Sequence, residues 1–393
     1  MTHRILIKDV QIIGTKNPLI KGWILVSSGK IEQFGANDPS AGLEQSGVDV
    51  IDGGGYTIVP GFIDLHTHGA MGHEFMEPDV EAWQALSRYY AAHGTTGVLA
   101  TGWTASAHDL AQLIETAGKV MGREEGARIL GVHLEGPFLN RARSGAQNPA
   151  LIRTAVKDEV IPYLESGIVR LVALAPEIGE NHWLIEECVK RGITVSAGHT
   201  DASYADMLEA TRMGVTQVTH CFNAMRPLDH RLPGTVGAAL TLDELKCELI
   251  ADNVHVHPAV MKLLARAKGM SGVILITDSI RAAGMPDGEW MLEGQKIFVR
   301  NGEARTADGT LAGSTLSLEK GMANFIAATH EPLDRTWVCA TLNPAKAIHL
   351  EDSKGSIEPG KDADLVLLDR KFEVEMSMVG GRVVYRRNTP LLI

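Results

Sequence analysis

The chain is poor in cysteine, has no surplus of positive charge and contains no long apolar run. Its four cysteines, Cys188, Cys221, Cys247 and Cys339, form no C-x-x-C pair. They read as reduced, mostly structural thiols of a cytosolic protein, not as a disulfide framework. The net charge of -11 argues against a nucleic-acid partner, whose phosphates call for a basic surface. It does not exclude a small anionic substrate, because a few local arginines outweigh a global charge. No window approaches the ~20 apolar residues of a membrane span. The N-terminal Met1-Thr-His-Arg-Ile-Leu-Ile-Lys-Asp-Val alternates and carries charge where a signal peptide would be apolar. A cytoplasmic protein with no membrane partner is the expectation. There is no low-complexity linker and no obvious short repeat.

What is present is a chain of 393 residues, 45% hydrophobic and 22% charged, with the composition of a globular protein that can bury a large core. The length suits a barrel of roughly 250 residues plus an accessory domain. Residues 1 to about 57 read as short strands closed by Gly53-Gly54-Gly55. From Thr57 the pattern becomes strand then helix, repeated. The strands are Ile58 to Leu65, Thr95 to Thr101, Arg128 to Leu134, Val169 to Ala175, Thr194 to Ala197, Gln217 to Thr219, Cys247 to Ala251 and Val273 to Thr277. Eight such units predict a (β/α)8 TIM-like barrel. Residues 285 to 313 alternate around glycines and read as hairpins. Leu316 to Thr329 and Thr336 to His349 read as helices, and strands return near the C-terminus. The predicted fold is α/β: a barrel over residues 58–354, inserted into a small β-sandwich domain made of residues 1–57 and 355–393.

Polar residues collect at the C-terminal ends of the predicted strands. His66 and His68 follow the first, His133 and Glu135 the third, and Glu177 the fourth. His199, His220, Asp252 with His255, and Asp278 follow the fifth to the eighth. Barrel enzymes place their chemistry at this end, because its loops converge there. His66 and His68 share a face by the period-two alternation of a strand, with Asp64 two residues before them, a grouping that suits a divalent metal such as zinc. Glu135, His199 and His220 make the best three-residue metal set. A catalytic metal leaves a position for water and lowers its pKa from 15.7 to roughly 7. Asp278 is then the candidate general base. Trp103 and Met225 also stand near strand ends, where lining a pocket and packing in the core are equally open. The remaining histidines read as surface or supporting groups.

These residues carry a resemblance. Asp64-x-His66-x-His68, histidines on the fifth and sixth strands and an aspartate on the eighth resemble the amidohydrolase superfamily. Members that bridge two metals with a carboxylated lysine usually have it on the fourth strand, and Val169 to Pro176 has none. Glu135 takes the bridging place. His133-Leu-Glu-Gly-Pro-Phe-Leu-Asn140, Ser196-Ala-Gly-His-Thr-Asp201, Thr219-His-Cys-Phe-Asn-Ala-Met225, Asp252 with His255, and Ile276-Thr-Asp-Ser279 are similar, in order and in register, to the N-acetylglucosamine-6-phosphate deacetylases.

The resemblance implies metal-dependent removal of an acetyl group from an amino sugar phosphate. Glu135, His199 and His220 would bind the main metal, and His66 and His68 a second. That makes one or two divalent ions per chain, zinc first, with iron, manganese or cobalt as alternatives. Asn223, Ala224, Arg231 and His255 fall where the family binds substrate, particularly its phosphate. Ala146, Gln147, Leu311, Ala312 and Gly313 fall where it holds the sugar. Some members have a histidine in place of Gln147 that polarises the acetyl carbonyl. Glutamine donates a neutral hydrogen bond there and does not titrate near pH 7. The family is typically a homodimer in which a neighbouring subunit supplies part of the phosphate site. The alternatives are the same reaction on N-acetylgalactosamine 6-phosphate, cyclic-amide hydrolysis, which the missing lysine disfavours, and an inactive barrel acting as a binding module.

Overall fold

A computed structural model describes residues 4–14, 19–39, 41–43, 47–292 and 294–387. The outermost residues expected in the small β domain, 1–3 and 388–393, lie outside the described residues.

Eight parallel strands form the barrel: Phe62–Thr67, Thr95–Gly102, Arg128–Glu135, Val169–Leu174, Thr194–Ala197, Gln217–Val218, Lys246–Ile250 and Val273–Ile276. Sequential strands pair in that order. The eighth meets the first where the Asp278 N–H donates to the His66 carbonyl at 2.8 Å. These runs are rich in branched apolar residues because both faces are buried. Ile63, Leu65, Leu99, Leu171, Ile274 and Ile276 fill the lumen, where Ala345 and Ile348 join them. Phe62, Val98, Val132, Leu134 and Val172 form a separate core with helices such as Val80–Ala92 and Ala107–Val120. This division of lumen from outer core is the alternation the sequence predicts.

The strand predicted over Ile58 to Leu65 is two strands. Thr57–Pro60 pairs with Leu365–Leu368 in the small sheet, and the barrel strand begins at Phe62. Gly61 makes the crossing: its N–H donates to the Asp364 carbonyl, and a Cβ there would stand 2.0 Å from the Thr96 hydroxyl oxygen. The small sheet takes strands from both ends of the chain. Its order is Arg382–Arg386, Val374–Val379, Leu365–Leu368, Thr57–Pro60, Arg4–Ile12, Leu19–Ser27 and Lys30–Ala36, with Val48–Asp52 beside Arg4–Ile12. Ile5, Ile7, Ile24, Ile58, Leu365 and Met376 are part of its core.

The hairpins expected over 285–313 form a three-stranded antiparallel sheet, Gly288–Leu292, Gln295–Arg300 and Glu303–Thr306. Ile297, Val299 and Ala304 pack against Trp103, Ile280 and Ala312. The helix expected over Thr336 to His349 is interrupted, running Leu333–Thr336, a 3-10 turn Trp337–Ala340, and Leu342–Ala347.

Candidate active site

Four residues just past the strand ends, His199, His220, Ala224 and Asp278, have positive φ, at 45°, 29°, 49° and 49°. Non-glycine residues in that region cost about 1–3 kcal/mol each and persist only where their surroundings hold them. Here backbone bonds do so. The Asn140 N–H donates to the His199 carbonyl at 2.9 Å, and the Ser314 N–H to the Asp278 carbonyl at 2.8 Å.

Glu135 is the hub. One carboxylate oxygen, Oε1, lies 3.0 Å from both His199 Nε2 and His220 Nε2 and 3.4 Å from His66 Nε2. The other, Oε2, lies 3.2 Å from His68 Nε2. The paired imidazole nitrogens are close as well, His199 to His220 at 3.1 Å and His66 to His68 at 3.2 Å. Asp278 Oδ1 closes the group at 3.2 Å from His68 Nε2 and 3.5 Å from His66 Nε2. Glu135 therefore belongs at once to two groups that could each hold a metal ion, His66/His68/Glu135 and Glu135/His199/His220.

The ring orientations fit metal binding. Glu248 accepts from His66 Nδ1 at 3.2 Å, and the Arg143 carbonyl from His199 Nδ1 at 2.9 Å. Each Nε2 then presents a lone pair toward Glu135. Neighbouring donors around an ion with bonds of about 2.0–2.2 Å sit roughly 3 Å apart, as these do. His68 Nδ1 and His220 Nδ1 are buried without hydrogen-bond partners. The electrostatics agree. Burial would raise the Glu135 carboxyl, but the neighbouring imidazoles, His66 first, outweigh it and hold Glu135 well below the usual carboxylate range. Burial likewise opposes, and His66 and His68 outweigh it in, the lowering of Asp278. His133, expected beside Glu135, is buried edge-on against the His66 ring at 4.7 Å, and burial pushes its pKa well down.

Asp64 does not join the ligands. Its carboxylate turns across the barrel seam, accepting from the Thr277 hydroxyl at 2.6 Å and from the Thr277 N–H at 3.2 Å.

Above the hub lies a cavity of about 340 Å³, lined by Glu135, His199, His220 and Asp278. Of the residues expected at the substrate, Ala146, Gln147, Asn223, Ala224, His255, Leu311 and Gly313 line it. Ala312 is buried behind that wall in the cluster under the three-stranded sheet. His66 and His68 lie beneath the floor, fully buried. Gln147 bridges two partners: its amide donates to Glu135 Oε2 at 2.7 Å and its carbonyl accepts from the Thr104 N–H at 2.8 Å. Asp252 accepts from His255 Nδ1 at 2.7 Å, which turns that ring. Glu177 stays outside the cavity and ties the loops around His199, accepting from Asn140, Thr200 and the Asp201 N–H. Arg231 is exposed and lies outside the cavity lining. The arginine that does line it is Arg305, which sequence reasoning missed. Arg305 lies in the hairpins beyond the eight-fold repeat, so no strand-end signal marks it.

Comparison with known proteins places this arrangement. The model of the Amidohydrolase family matches residues 57–384. An N-acetylglucosamine-6-phosphate deacetylase of Bacillus subtilis is 36% identical, covering 98% of both chains. An N-acetylgalactosamine-6-phosphate deacetylase of Escherichia coli O157:H7 is 35% identical, over 87% of this chain and 92% of that one. Among solved structures, an aspartate-to-alanine mutant of the Mycobacterium smegmatis N-acetyl-D-glucosamine-6-phosphate deacetylase, in complex with N-acetyl-D-glucosamine-6-phosphate, superposes with a TM-score of 0.89. It is 33% identical and covers 98% of this chain and 99% of that one. With a shared carboxylate between two histidine pairs at the mouth of a parallel barrel, the chain belongs to the amidohydrolase family and, within it, to the N-acetylglucosamine-6-phosphate deacetylases.

Proposed function

We propose that the chain hydrolyses the N-acetyl group of N-acetylglucosamine 6-phosphate, giving glucosamine 6-phosphate and acetate. The observation that carries this reading is the position of Glu135, set between two histidine pairs at the floor of the cavity with Asp278 beside it. Glu135, His199 and His220 would hold the main divalent ion, zinc first, with iron, manganese or cobalt as alternatives. His66 and His68, with Glu135, would hold a second. When bound, such an ion supplies Lewis acidity, polarising a carbonyl and lowering the pKa of water from 15.7 to about 7.

The chain's own groups carry the remaining steps. Asp278, kept anionic by its imidazole neighbours, accepts a proton as water adds to the acetyl carbonyl carbon. It passes that proton to the nitrogen as the C–N bond breaks, since an amine leaves poorly unless protonated. Gln147 holds one oxygen of Glu135 in place. The volume suits a small sugar phosphate. Asn223, His255 and Arg305 line this volume, and the Arg305 guanidinium, which pairs with Glu303, brings the positive charge a phosphate requires. Arg231, exposed and outside this lining, would meet a phosphate only across an interface with a second copy. Leu228 and Leu232, 52% and 74% exposed on the same loop, support a homodimer that covers them. Four free, buried cysteines support a reducing, cytoplasmic setting.

The galacto epimer is the second reading, supported by the relative of that specificity at 35% identity. Acetate release from the two epimeric 6-phosphates and from unphosphorylated N-acetylglucosamine tests both. The gluco 6-phosphate should be turned over fastest. The unphosphorylated sugar should lose about 10- to 100-fold in kcat/KM, the worth of a charge-assisted contact of ~1.5–3 kcal/mol. Arg305→Ala should remove most of that difference. Faster turnover of the galacto epimer would favour the second reading, and no acetate from either would sink both.

A further inference from the structure

The four site histidines are not held alike. His66 is turned by the Glu248 carboxylate and His199 by the Arg143 carbonyl, the usual means by which a ligand imidazole is fixed. His68 Nδ1 has no such partner. Its ring is instead covered face to face by the Trp103 indole, with ring centroids 3.4 Å apart and planes inclined by 6°. Trp103 is itself buried: it is 4% exposed and packs among Ile280, Ala282, Ile297 and Ala304. It follows the second barrel strand, Thr95–Gly102, so its backbone is fixed by the barrel.

We propose that Trp103 is a positioning residue of the second metal site, His66/His68/Glu135, and that its stack on His68 sets the affinity of that site. The inference rests on the metal reading of the two ligand sets given above. Two physical effects act in the same direction. The stack holds the imidazole in its ligating orientation before any ion arrives, so less rotamer freedom is lost on binding. An imidazole that donates its Nε2 lone pair to a dication also becomes electron-poor, and the face of an indole is electron-rich. The contact is therefore stronger in the ion-bound state than in the free one, as for a cation over an aromatic face. The Glu135/His199/His220 set does not share this dependence, because the Arg143 carbonyl fixes His199 and Trp103 makes no ring contact with His199 or His220.

The test is calorimetric titration of the metal-free full-length protein with zinc(II), comparing wild type with Trp103→Leu, Trp103→Met and Trp103→Phe. Leucine and methionine keep an apolar side chain and remove the π face. Phenylalanine keeps a π face and removes the indole N–H. Wild type should bind two ions. The leucine and methionine variants should bind the second ion about 10- to 100-fold more weakly, the range for loss of a group that orients a ligand, with the tighter site changed less than about three-fold. Phenylalanine should restore most of the second affinity. Wild-type affinity at both sites in the leucine and methionine variants would overturn the proposal. So would equal weakening of both sites, which marks general packing damage, or a phenylalanine variant no better than leucine. A wild type that takes up one ion only would overturn the two-ion reading itself, a failure visible before any variant is made.

Discussion

The Asp64 carboxylate accepts hydrogen bonds from both the hydroxyl and the backbone N–H of Thr277, at 2.6 and 3.2 Å. These residues stand on the first barrel strand and just past the end of the eighth, where the parallel ladder is otherwise thin. Oδ1 of the same carboxylate also accepts from the His66 N–H at 3.3 Å. A buried acid, pushed up to about 7 by its burial, thus stitches the barrel shut one residue before Asp278 and two before His66. Asp64→Ala leaves the Thr277 hydroxyl and two N–H groups without this partner. At about 1–3 kcal/mol for each unsatisfied buried group, the variant should unfold at clearly lower denaturant than wild type. A midpoint equal to wild type would show that the seam is held elsewhere.

Glu135 belongs to both groups that could hold a metal ion, whereas His68 belongs to one. Glu135→Gln should therefore empty both metal positions, and His68→Ala only the second. Metal analysis after dialysis separates the cases. The glutamine variant should fall below ~1 ion per chain, a loss larger than the 10- to 100-fold in affinity that a supporting residue alone would cause. Retention of a full metal complement by Glu135→Gln would refute its role as the shared ligand.

Asp278→Asn keeps the shape of the side chain and removes the carboxylate proposed as the base. It should lower kcat by at least ~10²-fold while the protein still binds a tetrahedral phosphorus mimic of the substrate. Its metal at Glu135/His199/His220 should remain. Should the metal be lost and activity return with added metal, Asp278 is a ligand and not the base.

Away from the site, Lys354 donates to Asp362 at 2.8 Å and to Asp364 at 2.6 Å. Lys354 and Asp364 are both 8% exposed, and Asp364 also accepts from the Gly380 N–H at 2.7 Å. Lys354→Met would leave the buried Asp364 carboxylate without its cation, beside Asp362, which keeps Lys30 at 2.6 Å. Breaking a buried pair from one side costs ~3–5 kcal/mol, so thermal unfolding should move down by several degrees. The double variant Lys354→Met with Asp364→Asn should recover part of that loss, which a simple packing defect at residue 354 would not allow.

Much of the candidate site was legible because barrel topology converts position along a strand into position in space. Glu135, His199, His220 and Asp278 each end a different predicted strand, and the strand ends of a parallel barrel share one mouth. The strand boundaries were readable for a related reason: Val273–Ile276 is apolar on both faces and Val169–Leu174 is so apart from Arg170, as strands between lumen and helices are. The division at Gly61 was not readable, since Ile58 to Leu65 is one continuous apolar run and nothing local states that its two halves join different sheets. The interruption at Thr341 was hidden in the same way.

The sequence alone determined the strand-helix repeat, the mouth at which chemistry collects and the residue types gathered there, because periodicity and strand-end placement are local properties. Tertiary structure decided which of those residues meet. Asp64, two residues before the expected ligand His66, turned to Thr277 across the seam. Gln147 turned to Glu135, Arg231 stayed outside the cavity, and Arg305 entered it from a hairpin with no repeat to announce it. Trp103 came to lie on His68. These are contacts between segments far apart in the chain, set by side-chain direction and by the packing of one sheet over another, and no local pattern of residues encodes them.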